Sequence, residues 1–347
     1  MLIKLKKYSL AIFGLILLIG AVKLFSFSGY QESDDDAYLK YFHQNYKIFS
    51  LNIPENLNFS NEKVPIHDFD VRERLDRELL INTYWQSQTL LLHKRANRWF
   101  PMIEPILKRN GIPDDFKYLA LIESGLTNVV SPAGATGFWQ ILEPTAKSYG
   151  LEVSEEVDER YNVEKSTEAA CKYLKEAYKE FGNWTLAAAS YNMGISGITR
   201  QIARQKVKNY YDLLLNEETA RYLFRILSIK EIITNPKNYG FHIRKKDLYP
   251  PIPVTYISID SSISDLADFA LEQNVNYKLL KLLNPWLRQS NLSNKEKKKY
   301  RIAFPRASNQ NIYEKLLIDS ESSEDITVSS DSLTRIDSLN TNALKNQ

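Results

Sequence analysis

Apolar side chains between about Val71 and Gly240 recur at three- and four-residue intervals, the spacing of helices with one buried face. The first such pattern begins at Val71 and continues past Trp85 towards Pro101. Further helices are predicted over residues 113–124, 166–181 and 184–192 and around Tyr222–Ile233. Glycines lie just past the ends of the three middle patterns, where a helix C-terminus favours them. The spacing therefore predicts an all-α domain, to which we assign residues 65–245.

A different pattern begins after Pro250 and Pro251. Residues 254–260 alternate like a strand, two short amphipathic segments follow at 263–272 and 277–283, and residues 300–304 could form a returning strand. This order predicts a small α/β module over residues 252–306. Beyond it Ser, Asp and Asn dominate, which predicts a disordered tail over residues 307–347.

The N-terminus combines three lysines, Lys4, Lys6 and Lys7, with an apolar run over residues 8–27 that only Lys23 interrupts. A basic flank before an apolar run is typical of a membrane helix or an export signal. We favour an uncleaved anchor over residues 1–28, with a cleaved signal as the alternative, followed by a spacer over residues 29–64. Either form places the rest of the chain in the cell envelope, anchored in the inner membrane and facing the periplasm or exported.

Composition narrows the classes of function. Lys and Arg number 45 against 42 for Asp and Glu, so the net charge of +3 gives no case for a nucleic-acid partner. The single cysteine, Cys171, excludes an internal disulfide, and the four histidines show no metal-ligand spacing. We therefore predict neither a metal nor a cofactor. Aromatic residues reach 12%, which suits a large core and also a carbohydrate groove.

One acidic residue stands in an apolar helix. Glu123 shares a helical face with Phe116, Leu119 and Ala120, and it falls in the last turn of the predicted helix. Burial and the negative end of the helix dipole both disfavour a carboxylate there, so the pKa of Glu123 should be raised. A carboxyl group that holds its proton near neutrality suits general acid catalysis. The alternative is a structural glutamate that pairs with an arginine or caps backbone amides.

The stretch that follows, residues 124–142, contains no charged side chain and no histidine. Such a glycine-bearing segment beside an acid could form a groove wall that offers amides, hydroxyls and an indole. Gln140 could hydrogen-bond a sugar or an amide, and Trp139 could stack on a ring. The alternatives are a core position for Trp139 and a surface position for Gln140.

Four segments now stand in order along the chain: Glu123-Ser124, Gly134–Gln140, Ser190–Gly194 and Glu218–Tyr222. They resemble the signature segments of the lytic transglycosylase (SLT) domain, which has a goose-type-lysozyme-like fold. The C-terminal module resembles a diverged LysM unit, although Ser261, Ser262 and Ile263 replace its usual Gly-Asp-Thr. The resemblance implies a lysozyme-like helical domain and a small α/β LysM-like module, which with the N-terminal membrane helix give a mainly α fold.

The resemblance also implies a peptidoglycan lytic transglycosylase that leaves 1,6-anhydromuramoyl ends, with Glu123 as acid and then base. Peptidoglycan glycan strands would be its partner, and its substrate-binding residues would be Ser124, Phe138, Trp139, Gln140, Tyr191, Asn192 and Tyr222. Either Tyr191 or Tyr222 would hydrogen-bond the glutamate. A hydrolytic muramidase and a non-catalytic peptidoglycan-binding protein remain as alternatives. Whether the LysM-like module binds glycan is left open.

Overall fold

The computed structural model describes residues 47–306. The predicted anchor over residues 1–28, the first part of the spacer and the predicted tail over residues 307–347 lie outside this range. Among the described residues, no helix is both long enough and apolar enough to cross a membrane.

The prediction of a mainly helical fold is confirmed, and ten α-helices account for most of the regular structure between residues 47 and 306. Their bounds are α1 Phe69–Tyr84, α2 Gln86–Arg109, α3 Lys117–Ser124, α4 Glu143–Ser148, α5 Val163–Phe181, α6 Trp184–Met193, α7 Ile195–Gln205, α8 Glu217–Thr234, α9 Leu266–Glu272 and α10 Tyr277–Leu283. The strands are β1 Asn58–Phe59, β2 Glu62–Lys63, β3 Val254–Ile259 and β4 Tyr300–Pro305.

Several helices differ from their predicted bounds: the first pattern is divided at Trp85 into α1 and α2, and α3 begins at Lys117 after a short 3₁₀ turn. Helix α2 continues through Pro101 to Arg109, because buried side chains beyond the proline, such as Ile103 and Leu107, offset the lost backbone donor. Helix α5 begins at Val163, three residues before its predicted start. The Asn162 side chain accepts a hydrogen bond from the Lys165 amide at 3.1 Å and so forms its N-cap.

Helix α8 lies at the centre of the helical core and packs against α1, α3 and α6. Residues on its predicted amphipathic face are buried, and Tyr222 and Ile226 are 1% and 0% exposed. Burial of each such large side chain is worth roughly 1.5–3 kcal/mol. This packing brings residues near position 222 against the end of α3, about a hundred residues earlier in the chain.

The C-terminal module has the predicted strand–helix–helix–strand order. Strands β3 and β4 pair antiparallel, with Val254 opposite Pro305 and Ile259 opposite Tyr300. Helices α9 and α10 cover one side of this two-stranded sheet, and the buried side chains Leu266, Leu280 and Ile302 fill the space between them. Residues 152–161 of the helical domain contribute to the same buried cluster, so the module and the domain share part of a core.

Candidate active site

Glu123 lies in the last turn of α3, and the turns before it are buried, with Leu119 and Leu121 at 0% and 1% exposure. Gly125 ends the helix in the left-handed conformation, with φ of +60°, and its amide bonds Leu121 O at 2.9 Å. A Cβ there would lie 3.2 Å from the Arg95 guanidinium. This close-packed helix end fixes the backbone position of Glu123. The Glu123 side chain is half-buried.

Tyr222 is the tyrosine that contacts the acid. Its hydroxyl donates a hydrogen bond to Oε1 of Glu123, and its ring is 1% exposed within α8. The hydroxyl of Tyr191 instead donates to Trp139 O at 2.8 Å. Of the two candidates from the sequence, the structure therefore brings Tyr222 to Glu123, and it uses Tyr191 to hold the backbone of the neighbouring loop.

Burial raises the pKa of Glu123, because the carboxylate loses hydration when α3 and α8 pack together. The Tyr222 hydrogen bond and the charge of Arg225 oppose this, and Glu218 adds a smaller increase. The net direction is upward, as the sequence predicted. Burial and the neighbouring Glu123 also raise the pKa of Tyr222, which therefore stays a hydrogen-bond donor over the whole neutral range.

The uncharged segment after Glu123 folds into a loop, residues 128–142, which we call the substrate loop. Backbone hydrogen bonds within the loop stabilise it. Gly137 N donates to Val129 O at 3.0 Å, and Ile141 N donates to Thr136 O at 3.1 Å. The Gln140 side-chain amide donates to the same Val129 oxygen at 3.0 Å and to Gly137 O at 2.8 Å. Gln140 is half-buried, and its side-chain oxygen takes no part in these two bonds.

Phe138 and Trp139, two of the residues expected to bind substrate, are buried in the structure. They are 2% and 0% exposed and point into the core behind the loop. The Trp139 indole donates to the hydroxyl of Thr167 at 2.8 Å, and the Phe138 ring meets Trp99 edge to face at 5.0 Å. Burying two large rings stabilises the loop, so neither ring is free to stack on a sugar.

Two other predicted residues link elements around the acid. The Ser124 hydroxyl donates to Phe138 O at 2.9 Å and so ties α3 to the substrate loop. The Asn192 amide at the end of α6 donates to Glu218 Oε1 at 2.9 Å, and its oxygen accepts from the Thr219 hydroxyl at 2.7 Å. Asn192 therefore holds α6 against the first turn of α8.

Glu218 and Arg225 were not predicted from the sequence as neighbours of Glu123. Both influence its pKa, and Arg225 also donates to Ile122 O at 2.9 Å, where α3 ends. Their positions four residues before and three after Tyr222 place all three on one face of α8, a helical signal that could have identified them.

Two family models match parts of this chain. Residues 100–214 match the transglycosylase SLT domain, and residues 255–308 match the soluble lytic transglycosylase C-terminal LysM-like domain. Glu123, the substrate loop and Asn192 lie inside the first match, whereas Tyr222 lies just beyond it.

Two curated proteins that are similar to this chain are named as lytic transglycosylases. The membrane-bound lytic murein transglycosylases D of Escherichia coli strains K12 and O6:H1 are each 29% identical over 228 residues, covering 64% of this chain and 49% of the relative. The chain thus spans about half the length of the curated relatives it matches. A solved inactive mutant of lytic transglycosylase Slt from Pseudomonas aeruginosa covers 43% of this chain and 26% of its own, at 18% identity and a TM-score of 0.31, too low to bear on the fold. The family matches show that this chain carries a transglycosylase SLT domain followed by a LysM-like domain, and over its aligned part it is similar to membrane-bound lytic murein transglycosylase D.

Proposed function

We propose that this protein is a peptidoglycan lytic transglycosylase with Glu123 as its catalytic residue. The observation that carries the proposal is the half-buried carboxyl group of Glu123, which has a raised pKa. It accepts a hydrogen bond from the Tyr222 hydroxyl and lies beside an uncharged loop. The matches to SLT-domain proteins support the reaction class. The substrate in this proposal is the bond between N-acetylmuramic acid and N-acetylglucosamine in the glycan strand.

In the first step, the protonated Glu123 gives its proton to the bridging oxygen as the bond from that oxygen to C1 of the muramic acid breaks. The N-acetylglucosamine part leaves with a new hydroxyl, and positive charge develops at C1. The raised pKa serves this step, because it increases the fraction of Glu123 that is protonated at a given pH.

In the second step, Glu123 is a carboxylate and takes the proton of the muramoyl C6 hydroxyl. The C6 oxygen then bonds to C1, which closes a 1,6-anhydro ring and returns Glu123 to its protonated form. No water is consumed, so this scheme needs one carboxyl group where most glycosidases need two. The Tyr222 hydroxyl stabilises the carboxylate between the two steps by donating to Oε1.

The remaining site residues take supporting parts in the proposal. Gln140 presents its side-chain oxygen to the glycan, because both donors of its amide already bond the substrate loop. Tyr191 and Ser124 hold that loop through the backbone oxygens of Trp139 and Phe138. Asn192 sets the position of Glu218 at the edge of the site.

A hydrolytic muramidase on the same fold is the second candidate, and Glu218 is the observation that favours it. Its exposed carboxylate lies on the same face of α8 as Tyr222, and its charge acts on Glu123. A second carboxylate near the acid could activate a water molecule. The two candidates differ in their products, since hydrolysis leaves a reducing end and the lyase leaves an anhydro ring.

Mass spectrometry of digested peptidoglycan tests the proposal directly. We expect fragments that end in 1,6-anhydromuramic acid, one water lighter than reducing ends, and none from Glu123→Gln at the same enzyme concentration. The Glu218→Gln variant should keep the anhydro product. Reducing ends from the wild type, lost in Glu218→Gln, would establish the hydrolase instead, and equal clearance by wild type and Glu123→Gln would remove Glu123 from its role.

The proposed substrate also predicts where the protein is located in the cell. Peptidoglycan lies outside the inner membrane, and the apolar run over residues 8–27 fits an anchor that leaves the enzyme facing it. We expect the full chain in the membrane fraction and a chain lacking residues 1–28 in the soluble fraction. Recovery of the full chain in the soluble fraction would exclude the anchor.

A further inference from the structure

Residues 152–161 connect the helical domain to the C-terminal module through backbone bonds. The amide of Asp158 donates to Trp286 O at 2.9 Å, and the amide of Arg288 donates to Glu156 O at 2.8 Å. Between these bonds Val157 pairs with Leu287 as an isolated antiparallel bridge. The connection between α10 and β4 is therefore paired with the helical domain as one strand pairs with another.

Side chains reinforce the same contact. The Glu156 carboxylate accepts from the Ser293 amide at 2.8 Å and from the Asn291 amide group at 3.0 Å, and the Ser293 bonds are the main reason that its pKa is lowered. The Arg288 guanidinium lies 4.1 Å from the centre of the Tyr161 ring. Val157 and Tyr161 are 1% and 9% exposed in the buried cluster of the module. Such a shared core is a fixed contact and differs from a flexible tether.

The other end of this segment holds the substrate loop. Arg160 forms a buried two-point ion pair with Asp158, at 2.9 and 2.7 Å. Its third nitrogen, Nη1, donates to Gly134 O at 3.2 Å in the middle of the loop and to Ile141 O at 3.4 Å near its end. Gly137 packs so closely on the Arg160 backbone that a Cβ there would lie 2.1 Å from the Arg160 oxygen. One short segment thus contacts the module on one side and the substrate loop on the other.

We propose that the LysM-like module is a structural brace for the substrate loop, and that Arg160 is the positioning residue that connects the two. This inference rests on the proposed function only in that the loop forms a wall of the glycan site. Asp158 is the central link, because its amide bonds the module and its carboxylate holds the Arg160 guanidinium. The segment between α10 and β4 bonds to the helical domain of the same chain, so we assign it a structural role within the protein.

A brace differs from a glycan-binding module in its effect on small substrates. A binding module raises local enzyme concentration on the polymer, so its loss should spare the cleavage of short soluble glycan fragments. A brace keeps the loop in its binding geometry, so weakening it should impair short fragments and intact sacculi alike.

Hydrogen exchange of residues 128–142 tests the link without any catalytic readout. Arg160→Gln should speed exchange there by about tenfold, Arg160→Lys should lie between it and the wild type, and Arg221→Gln should leave the loop unchanged. Arg221 is the matched control, because it forms an ion pair with buried Glu78 elsewhere in the helical domain. Unchanged loop exchange in a folded Arg160→Gln protein would overturn the proposal.

Kinetics with a short soluble fragment give a second readout. Arg160→Gln should raise KM about tenfold and change kcat less, with the pH profile unmoved because the contacts of Glu123 are intact. An unchanged KM for the fragment would contradict the brace. If the wild type makes no anhydro product, the proposed function fails, and the exchange experiment still decides the brace.

The module side of the contact is tested with two buried leucines. Leu287 is 1% exposed and pairs with Val157, whereas Leu266 is 0% exposed and donates its amide to Ser290 O within the module. Leu287→Ala should speed exchange of the substrate loop several-fold more than Leu266→Ala, although both lower the melting temperature. Equal loop exchange in the two variants would overturn the brace.

Discussion

Two glutamates contact consecutive residues of α8, one a charged arginine and the other a neutral tyrosine. Glu78 on α1 is 2% exposed and forms a 2.7 Å ion pair with Arg221. Glu123 on α3 is half-buried and receives the hydroxyl of Tyr222. Consecutive helical residues point about 100° apart, so one turn of α8 serves both acids. The comparison separates an acid that stabilises the fold from one that can exchange a proton.

The partner decides which of the two roles an acid can take. The Arg221 guanidinium contacts Glu78 at 2.7 Å, and the Glu78 side chain is only 2% exposed. A neutral hydroxyl offers Glu123 one hydrogen bond in either protonation state, and part of the side chain remains open to solvent. Arg225 is near Glu123, but its guanidinium is bonded to Ile122 O at 2.9 Å. Glu123 therefore has no direct ion pair among its described contacts.

The largest expected effect separates the two acids by activity. Glu123→Gln should lower the rate of anhydro-fragment release by at least about 10³-fold, because it removes both the acid and the base of the proposed reaction. Glu78→Gln should keep the rate per folded molecule within about twofold. Initial rates on purified sacculi, normalised to folded protein by circular dichroism, measure both. A loss in Glu78→Gln as large as in Glu123→Gln would end the distinction.

The second effect separates the acids by stability. Arg221→Ala leaves the carboxylate of Glu78 buried and unpaired, which should lower the free energy of unfolding by roughly 3 kcal/mol. Urea denaturation measures this loss. The double variant Glu78→Leu with Arg221→Leu is the control, and it should recover most of the stability because no charge remains buried. A single variant as stable as the wild type would show that Glu78 does not depend on its partner.

The third effect concerns the hydroxyl group alone. Tyr222→Phe removes the hydrogen bond that lowers the pKa of Glu123, so that pKa should rise further. The proposed reaction begins with protonated Glu123, so the loss of activity at high pH should move to higher pH, while kcat falls about tenfold. Tyr191→Phe is the matched control, because its hydroxyl bonds Trp139 O, and its profile should not move. A shift in Tyr191→Phe instead would reverse the assignment of the two tyrosines.

Local chemistry made much of the fold predictable from the sequence. Gly125 and Gly182 end α3 and α5 in the left-handed conformation, as the predicted helix ends required, and α6 ends at Met193, one residue after its predicted end. These signals depend on a few neighbouring residues, so they can be identified before the tertiary structure is known. The short helix α7 was not predicted.

Contacts across the chain were beyond the sequence patterns. The choice of Tyr222 over Tyr191 depends on how α8 packs on α3, across 99 residues. The inward direction of Trp139 depends on turns at Gly137 and Gln140, both at positive φ. The docking of the module on residues 152–161 depends on backbone pairing that no spacing encodes. These are tertiary properties, and they are also the ones that position the site.

The smallest expected effect is the dependence of stability on pH that Glu123 introduces. The folded protein raises the pKa of Glu123 above its ordinary value of 4.5, so folding favours the protonated form. The stability that depends on this proton is fully present below about pH 4.5 and is lost as pH rises through the folded pKa. Glu123→Gln mimics the protonated form, so it should stabilise the protein by about 1 kcal/mol at pH 7 and by nothing at pH 4.

Glu78→Gln should instead destabilise the protein at pH 7, because it breaks the ion pair with Arg221. Thermal unfolding of Glu123→Gln and the wild type from pH 4 to 8, and of Glu78→Gln at pH 7, measures these effects. A Glu123→Gln protein less stable than the wild type at pH 7 would mean that the glutamate is held as a structural carboxylate, like Glu78.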